Sequence, residues 1–576
     1  MRLSRNCLRS APIGISLLTV TLFWVFYFKF YPLENHAIYF GEVLYFSSFA
    51  LIALLILKLI FFIRKEKILD LIVLLRTRIA VAILSAIVTT GLTFFWTPPD
   101  YRVLQDEATI TSISYMMQKH HTATALYAAR YEGNDFVSMA QMIDKRLPLF
   151  PLFTHFLGFL LGYSPANSFY ANACTSTLFL SLIFYLTASL YGTWIGWIAQ
   201  FLVISSPPYF LSATSAGFDL FSSAFLFTTL ALSVCLLRKP TASIFGLWTL
   251  ALGGLSYTRY ESILPASVIV TVTFYFLPKF SRSFLKKEIP WIAPIAYFLS
   301  LWLALTLILL EPRFHEVPSG TPLFAWSHFV HNSCALFKGL FFPPENYPKL
   351  RLFYVLAVFS GAFVGASVWK SRSSLGMKAF SLSVLAIGTS LAISLFHFFG
   401  SYTTPTALRL FISPMIALAL MPAIALGIAG KRWPFVAKYS PYFTIPAALL
   451  AYFATHSVTQ AQIFADVGAT RGYQISKKWI ANLNPRTTLI VSDVPTNFAI
   501  LEFGSIDFET FIENQSKILN SLGNGSLKQV LFFQNIARDS GRPQADEELP
   551  TSVAIQLLTE TPESSRHLLR ISELKR

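Results

Sequence analysis

Apolar stretches long enough to cross a lipid bilayer recur along this chain, and no other feature restricts its fold so severely. A span needs roughly 20 residues. Candidates occupy 11–30, 38–62, 79–96, 168–190, 193–210, 218–237, 243–258, 262–278, 290–310, 352–369, 379–399, 409–429 and 440–457. Composition agrees: 54% of the 576 residues are hydrophobic and 13% are charged, against about a quarter charged in soluble domains. The expectation is an α-helical polytopic membrane protein with about 13 transmembrane helices, since lipid leaves backbone polar groups no external partner.

Charge then orients the spans. The formal net charge is +16, yet nucleic acid is not an expected partner. The basic residues collect in short gaps between apolar runs: "RKEK" at 64–67, "RTR" at 76–78, "RK" at 238–239, "KFSRSFLKK" at 279–287, "KSRSSLGMK" at 370–378 and "KRWPFVAK" at 431–438. Such clusters mark the cytoplasmic ends of spans. A cytoplasmic N-terminus (Arg2, Arg5, Arg9) puts "RKEK" inside and residues 97–147 outside. The next strong inside signal is 238–239, an odd number of crossings away, but four apolar stretches intervene. The stretch 148–162, "PLFPLFTHFLGFLLG", is expected not to cross, being short and carrying Pro148, Pro151 and His155. It reads as a juxtamembrane or re-entrant helix at the outer face. The first apolar run reads as a retained anchor, without a convincing cleavage site. The cysteines Cys7, Cys174, Cys235 and Cys334 are scattered and form neither a disulfide framework nor a metal motif.

Four polar pieces fall on the outer side: the loop 97–167, a hinge around Ser212–Asp219, the loop 311–351, and the segment 458–576. The last reads as a small α/β domain. "TTLIVSD" (487–493) and "LKQVLFFQ" (527–534) have the β-branched and aromatic content of strands, and "GNGS" (523–526) marks a turn. Three units follow: a two-span extension and cytoplasmic linker (1–78), a transmembrane module (79–457) and an extracytoplasmic α/β domain (458–576).

Candidate chemistry sits at this outer face. Asp106 and Glu107, in "YRVLQDEATI", admit two readings. Acids are favoured in the first turn of a solvated helix; equally, a carboxylate could be held where a bilayer-dissolved substrate meets water. Lys145 and Arg146, in "DKRLPLFP", either snorkel to headgroups or grip a lipid phosphate. Asp219 opens an apolar run, as a cap or as a functional carboxylate. Arg259 and Glu261, in "LSYTRYES", lie between two spans and could pair with each other. His397 and Arg409 flank the loop in "HFFGSYTTPTALRLFISP". The loop 311–351 adds His315, Glu316, His328 and His331. These read as solvated or groove-lining histidines, for want of a closed metal-ligand set. Each segment is weak evidence; acids and bases from five segments at one membrane depth are stronger.

In this order the residues resemble the GT-C superfamily of polytopic glycosyltransferases. The resemblance is strongest to the bacterial group akin to protein O-mannosyltransferases and the lipid A aminoarabinose transferase. The parts are an acidic pair in the first outer loop ("QDEATI"), a proline-containing juxtamembrane segment ("RLPLFP"), a serine–proline turn ("LVISSPPYF") and an acid opening another span ("SAGFDLF"). A turn "GGLSYTRYES" follows, then an arginine-led span "ALRLFISPMIALALMPAIALG" and a C-terminal outer domain. The similarity covers roughly residues 79–510. It departs in having Arg146-Leu147-Pro148 where relatives often carry Lys-Pro-Pro, so either Lys145 or Arg146 takes the basic role. Two extra spans (11–62) precede the usual first one.

The resemblance implies transfer of a sugar from a polyprenyl-phosphate donor to a lipid, glycan or protein acceptor at the extracytoplasmic face of a bacterial inner membrane, with inversion. It offers Asp106 as base, with Glu107 as substrate or metal contact. It offers Lys145, Arg146, Arg259 and Arg409 as phosphate contacts, with Asp219, Glu261 and His397 around the substrate. A divalent cation is left open as a cofactor. Two other classes compete: a lipid or glycan transporter or flippase, and a lipid-diphosphate-dependent glycan ligase or polymerase. Transporters place polar groups at the midplane of repeated bundles, whereas this chain crowds them at one face.

Overall fold

The computed structural model describes residues 37–65, 68–277, 321–341, 348–371, 374–402, 405–463, 468–537, 549, 553–562 and 567–574. The expected spans 11–30 and 290–310 lie outside the described residues, as do His315 and Glu316. Among the described residues, seven helices are long and apolar enough to cross a membrane: 38–64, 78–96, 167–191, 219–238, 353–371, 375–396 and 407–432. The chain is an integral membrane protein.

Shorter apolar helices fill other expected spans: Thr193–Ile204, Ala242–Ser256 and Tyr260–Phe276. Helix Leu149–Leu161, the stretch expected not to cross, has 13 residues. At about 1.5 Å per residue this reaches roughly 20 Å, short of the ~30 Å apolar core. Length does not set it apart, however, because Thr193–Ile204 has 12 residues. That helix ends where Ser206 turns extended (φ −78°, ψ 121°), and a second short helix, Pro207–Ala213, restarts behind it. Two successive prolines lack the N–H groups that would continue one helix and suit the opening of the next. The expected single span 193–210 is therefore a broken helix. The span expected at 440–457 lies in helix Pro434–Ile463, which contains Pro441 and Pro446.

The largest buried cluster joins Phe179, Ile198, Tyr209, Phe411, Ile416 and Tyr452 across five of these segments. On the bundle's outside, Phe159, Phe359, Tyr275 and Trp369 are each at least 70% exposed, as suits side chains whose surroundings are lipid.

Helix Ala37–Lys65, part of the unexplained extension, has a structural job. Its Gly41 carbonyl accepts from Ala123 N (2.8 Å). Its Leu51 packs with Ile110, Leu147, Phe150 and Leu250. It buttresses the 97–167 loop from the side.

That loop is not irregular. Helix Leu104–His120 is followed by strands β1 (Ala125–Glu132) and β2 (Asp135–Met142), joined by a tight Gly133-Asn134 turn in which Gly133 adopts φ 64°. Glycine at the first position of a two-residue hairpin turn meets its positive φ without a Cβ penalty. The C-terminal segment supplies β3 (Thr488–Ser492), β4 (Gly504–Ile506), β5 (Gln529–Ala537), β6 (Ile555–Pro562) and β7 (His567–Leu574). Among the described residues all seven strands form one sheet, in the order β2-β1-β4-β3-β5-β7-β6. The expected strands at 487–493 and 527–534 are β3 and β5. The central strands are parallel (β4-β3-β5) and covered on both faces. Leu489, Val491, Val530 and Phe532 point into one core and Ile490, Leu531 and Phe533 into the other, following the period of two.

The expected C-terminal domain is thus completed by the 97–167 loop. Ala129 in β1 pairs with Ser505 in β4. Tyr131 OH donates to Glu502 O (3.1 Å) and Tyr163 OH to Ile500 O (2.8 Å).

Candidate active site

Asp106 and Glu107 do open a helix, but not as a solvated start. Glu107 is 2% exposed, and from Ala108 to Met117 every residue of helix Leu104–His120 is buried. This helix is largely polar (Thr109, Thr111, Ser112, Ser114), and its hydroxyls satisfy themselves on nearby carbonyls and on neighbours. Thr111 Oγ1 donates to Glu107 O (2.9 Å) and Ser112 Oγ to Thr109 O (2.8 Å). Ser112 Oγ in turn accepts from Leu126 N (3.1 Å), fixing β1 against the helix.

Asp106 is held between two arginines. Arg146 Nη2 donates to one carboxylate oxygen and Arg409 Nη2 to the other. Arg146 lies four residues beyond the end of β2. Its backbone N–H donates to Asp144 Oδ1 (2.8 Å) and its Nη1 to Asp144 Oδ2 (2.6 Å), and Tyr127 OH also donates to that oxygen (2.9 Å). Arg409 comes from the 3-10 turn Pro405–Phe411 that leads into helix Ile412–Arg432. Burial pushes the Asp106 carboxyl up, but the two guanidiniums more than offset it and hold it well below the usual carboxylate range. Glu107 behaves oppositely. Burial pushes it up to about 7, and a bond from Arg102 N (2.6 Å) limits the rise.

A second charged group lies alongside. Arg259, in the turn between two apolar helices, donates from Nη1 to Asp219, from Nη2 to Glu261 Oε1 (3.0 Å) and from Nε to Glu261 Oε2 (3.2 Å). Its guanidinium sits 5.1 Å from the centre of the Phe218 ring. Asp219, Arg259, Glu261 and His397 line one cavity with Ser222, Ser223, Ser394 and Ser413. Its free volume is about 60 Å³, room for a few waters and too little for a sugar ring without opening.

The two groups meet at Gly217. A Cβ there would stand 3.2 Å from Asp219 Oδ2 and 3.6 Å from Glu107 Oε1, so Asp219 and Glu107 approach one point from different helices. Asn172 holds this turn by donating from Nδ2 to Ser215 O (2.8 Å) and Gly217 O (2.7 Å).

The structure therefore brings together Asp106, Glu107, Arg146, Asp219, Arg259, Glu261, His397 and Arg409. Of the two basic candidates, Arg146 is the one bonded to Asp106, with Lys145 half-buried next door. Sequence reasoning passed over Asp144, Tyr127 and Arg102. The signal for Asp144 was the "DKR" spacing, which lets an acid cap the backbone and side chain of an arginine two residues on. Among the described residues His328 and His331 gather no ligand set; His328 Nε2 bonds Pro322 O (3.0 Å). Among the described residues no three His, Cys, Asp or Glu side chains converge as a metal site.

No protein-family model and no curated protein matches the sequence. The fold, however, has solved counterparts. ArnT from Cupriavidus metallidurans in the apo state is similar at TM-score 0.55 and 11% identity, over 84% of this chain and 97% of that one. ArnT from the same organism bound to undecaprenyl phosphate is similar at TM-score 0.52 and 12% identity, over 87% of this chain and 98% of that one. At so low an identity the likeness, over most of this chain and nearly all of the other, is one of architecture: this membrane protein has the GT-C fold.

Proposed function

We propose that the protein is a glycosyltransferase that moves a hexosyl or pentosyl group from a polyprenyl-phosphate carrier to an acceptor at the extracytoplasmic face of the membrane. The observation that carries this reading is Asp106 clasped by Arg146 and Arg409, 40 and 303 residues away in sequence. A carboxylate and two guanidiniums at the mouth of an apolar bundle are what transfer from a lipid phosphate needs. The ArnT counterpart bound to undecaprenyl phosphate supports a donor of that chemical class.

The reaction breaks the bond between the anomeric carbon and the phosphate oxygen, and its electron pair leaves on the phosphate. Arg146 and Arg409 neutralise that charge, the bidentate task for which a guanidinium is shaped. The acceptor hydroxyl attacks the opposite face of the anomeric carbon, inverting it, and gives its proton to Asp106. Clamped as it is, Asp106 is a poor base. An arriving phosphate competes for both guanidiniums, and the carboxylate's affinity for a proton rises as they turn towards the donor. The ion pairs so act as a latch that the donor's own charge releases. Glu107 and Asp219, converging at Gly217, orient the acceptor.

The test is transfer of labelled sugar from a synthetic polyprenyl monophosphate by purified protein in nanodiscs. Asp106→Asn is expected to lower kcat by at least a hundredfold in protein that still inserts and melts cooperatively, at a lower temperature because Arg146 and Arg409 lose their shared counter-ion. Near-wild-type transfer by that variant removes Asp106 as base. Preference for a diphosphate donor moves the protein to the ligase class.

A further inference from the structure

A second cleft, away from the charged centre, is built by two parts of the chain far apart in sequence. Its walls are the β1–β2 hairpin (Arg130, Tyr131, Gly133, Met139) and the C-terminal segment from Arg486 to Leu527, and its volume is about 350 Å³. That falls in the range of small-molecule sites, about 300–1,000 Å³.

Its lining has three chemical parts. Three cations face it, Arg130, Arg486 and Lys517, and among the described residues no carboxylate lines it. Leu489, Ile506 and Ile518, each under 9% exposed, form an apolar floor. Thr510, Asn514 and Ser521 supply hydroxyl and amide groups around it. Arg130 is tied to Glu132 by Nε (2.9 Å). The other two cations have neutral partners: Arg486 Nη1 donates to Asn134 Oδ1 (3.3 Å) and Lys517 Nζ to Asn514 Oδ1 (3.5 Å). Bonds that long to neutral oxygens give way to an anion, because charge-assisted bonds are shorter and roughly twice as strong.

We infer that this cleft binds an anionic saccharide, one whose pyranose carries a carboxylate or phosphate. A pyranose has a C–H face for the aliphatic floor, hydroxyls for Thr510, Asn514 and Ser521, and an acid group for Arg486 and Lys517. A bare inorganic anion would use the cations and leave the floor unused. The occupant also bridges the hairpin to the C-terminal segment, and the hairpin runs on through β2 into Asp144 and Arg146.

Calorimetric titration of the full chain in nanodiscs at low salt tests this without reference to transfer. Trigalacturonate is expected to bind saturably, and added NaCl to weaken it. Maltotriose, a neutral trisaccharide, should bind at least tenfold more weakly, as should inorganic phosphate. Arg486→Gln with Lys517→Gln should weaken trigalacturonate at least tenfold, while Arg486→Lys with Lys517→Arg, which keeps the charge, should retain it. Absence of saturable binding, equal binding by the Gln pair, or phosphate or maltotriose matching trigalacturonate would each overturn the inference.

Discussion

At the scale of single residues, adjacent carboxylates on one helix have been driven in opposite directions. Asp106 stays ionised because two arginines face it; for Glu107, one residue on, burial outweighs the Arg102 N–H bond and the charges of Arg102 and Arg409, and it is pushed up to about 7. Stability follows with a definite sign. Glu107 ionises in the unfolded chain near 4.5 but in the folded protein near 7. Its contribution is therefore complete below about pH 4.5 and is lost as pH rises through about 7. Glu107→Gln, which stays neutral, should gain on the wild type across that window and level off above it, by about 3 kcal/mol. Thermal melting of both proteins from pH 4 to 8 reads the difference; a constant offset would show that Glu107 does not titrate there. Asp106, Glu107, Asp219, Arg259 and Arg409 were legible in the sequence because a charge in so apolar a chain stands out. The choice of Arg146 over Lys145 was not, since neighbouring residues leave a turn in different directions and only the folded backbone says which faces Asp106.

At the scale of elements, most spans declared themselves by hydropathy, as lipid requires. The hairpin did not. Its strands read "ALYAARYE" and "DFVSMAQM", rich in alanine and poor in β-branched residues, so local preference for strand is low. They are strands because β4 gives β1 an edge to join and Ser112 pins Leu126. The role of helix Ala37–Lys65 was equally hidden, because an apolar run looks the same whether it faces lipid or a loop. Gly41 reveals the contact: a Cβ there would fall 2.0 Å from Thr122 Oγ1 and 2.7 Å from Thr124 Cγ2. Gly41→Ala should thus cost about 1–3 kcal/mol by overpacking, seen as a lower melting temperature in detergent. Asn172→Ala should cost a similar or larger amount, about 2–5 kcal/mol, because two buried carbonyls lose their donor. It should also slow transfer, since the freed turn carries Asp219. Unchanged melting in either variant would contradict the packing described.

On the scale of the whole molecule, one sheet joins the 97–167 loop to the C-terminal segment, so both lie on the same side of the membrane. The chain between them must then cross an even number of times. The ten spans expected between residues 168 and 457 satisfy that parity, with 148–162 left out of the count. A cysteine pair tests it directly. Ala129 and Ser505 are register partners with buried side chains, and facing strand positions lie at the ~4.5–5.5 Å Cα spacing that a disulfide spans. Ala129→Cys with Ser505→Cys, in a protein otherwise free of cysteine, should form an intramolecular disulfide in membranes under mild oxidation. Reduced thiols throughout would separate the two segments.

The same joint has a consequence for synthesis. Tyr131 and the Glu502 carbonyl it bonds are 371 residues apart, so at 5–20 residues per second the hairpin waits about 20–75 s for its partner strand to leave the ribosome. For that interval β1 offers an unpaired edge outside the membrane, and the arm that carries Arg146 has no sheet to rest on. A chain cut short by a stop codon before β4 would keep most of its spans and still lack a fully supported site. Completion of translation is in this sense the last step in assembling the charged centre.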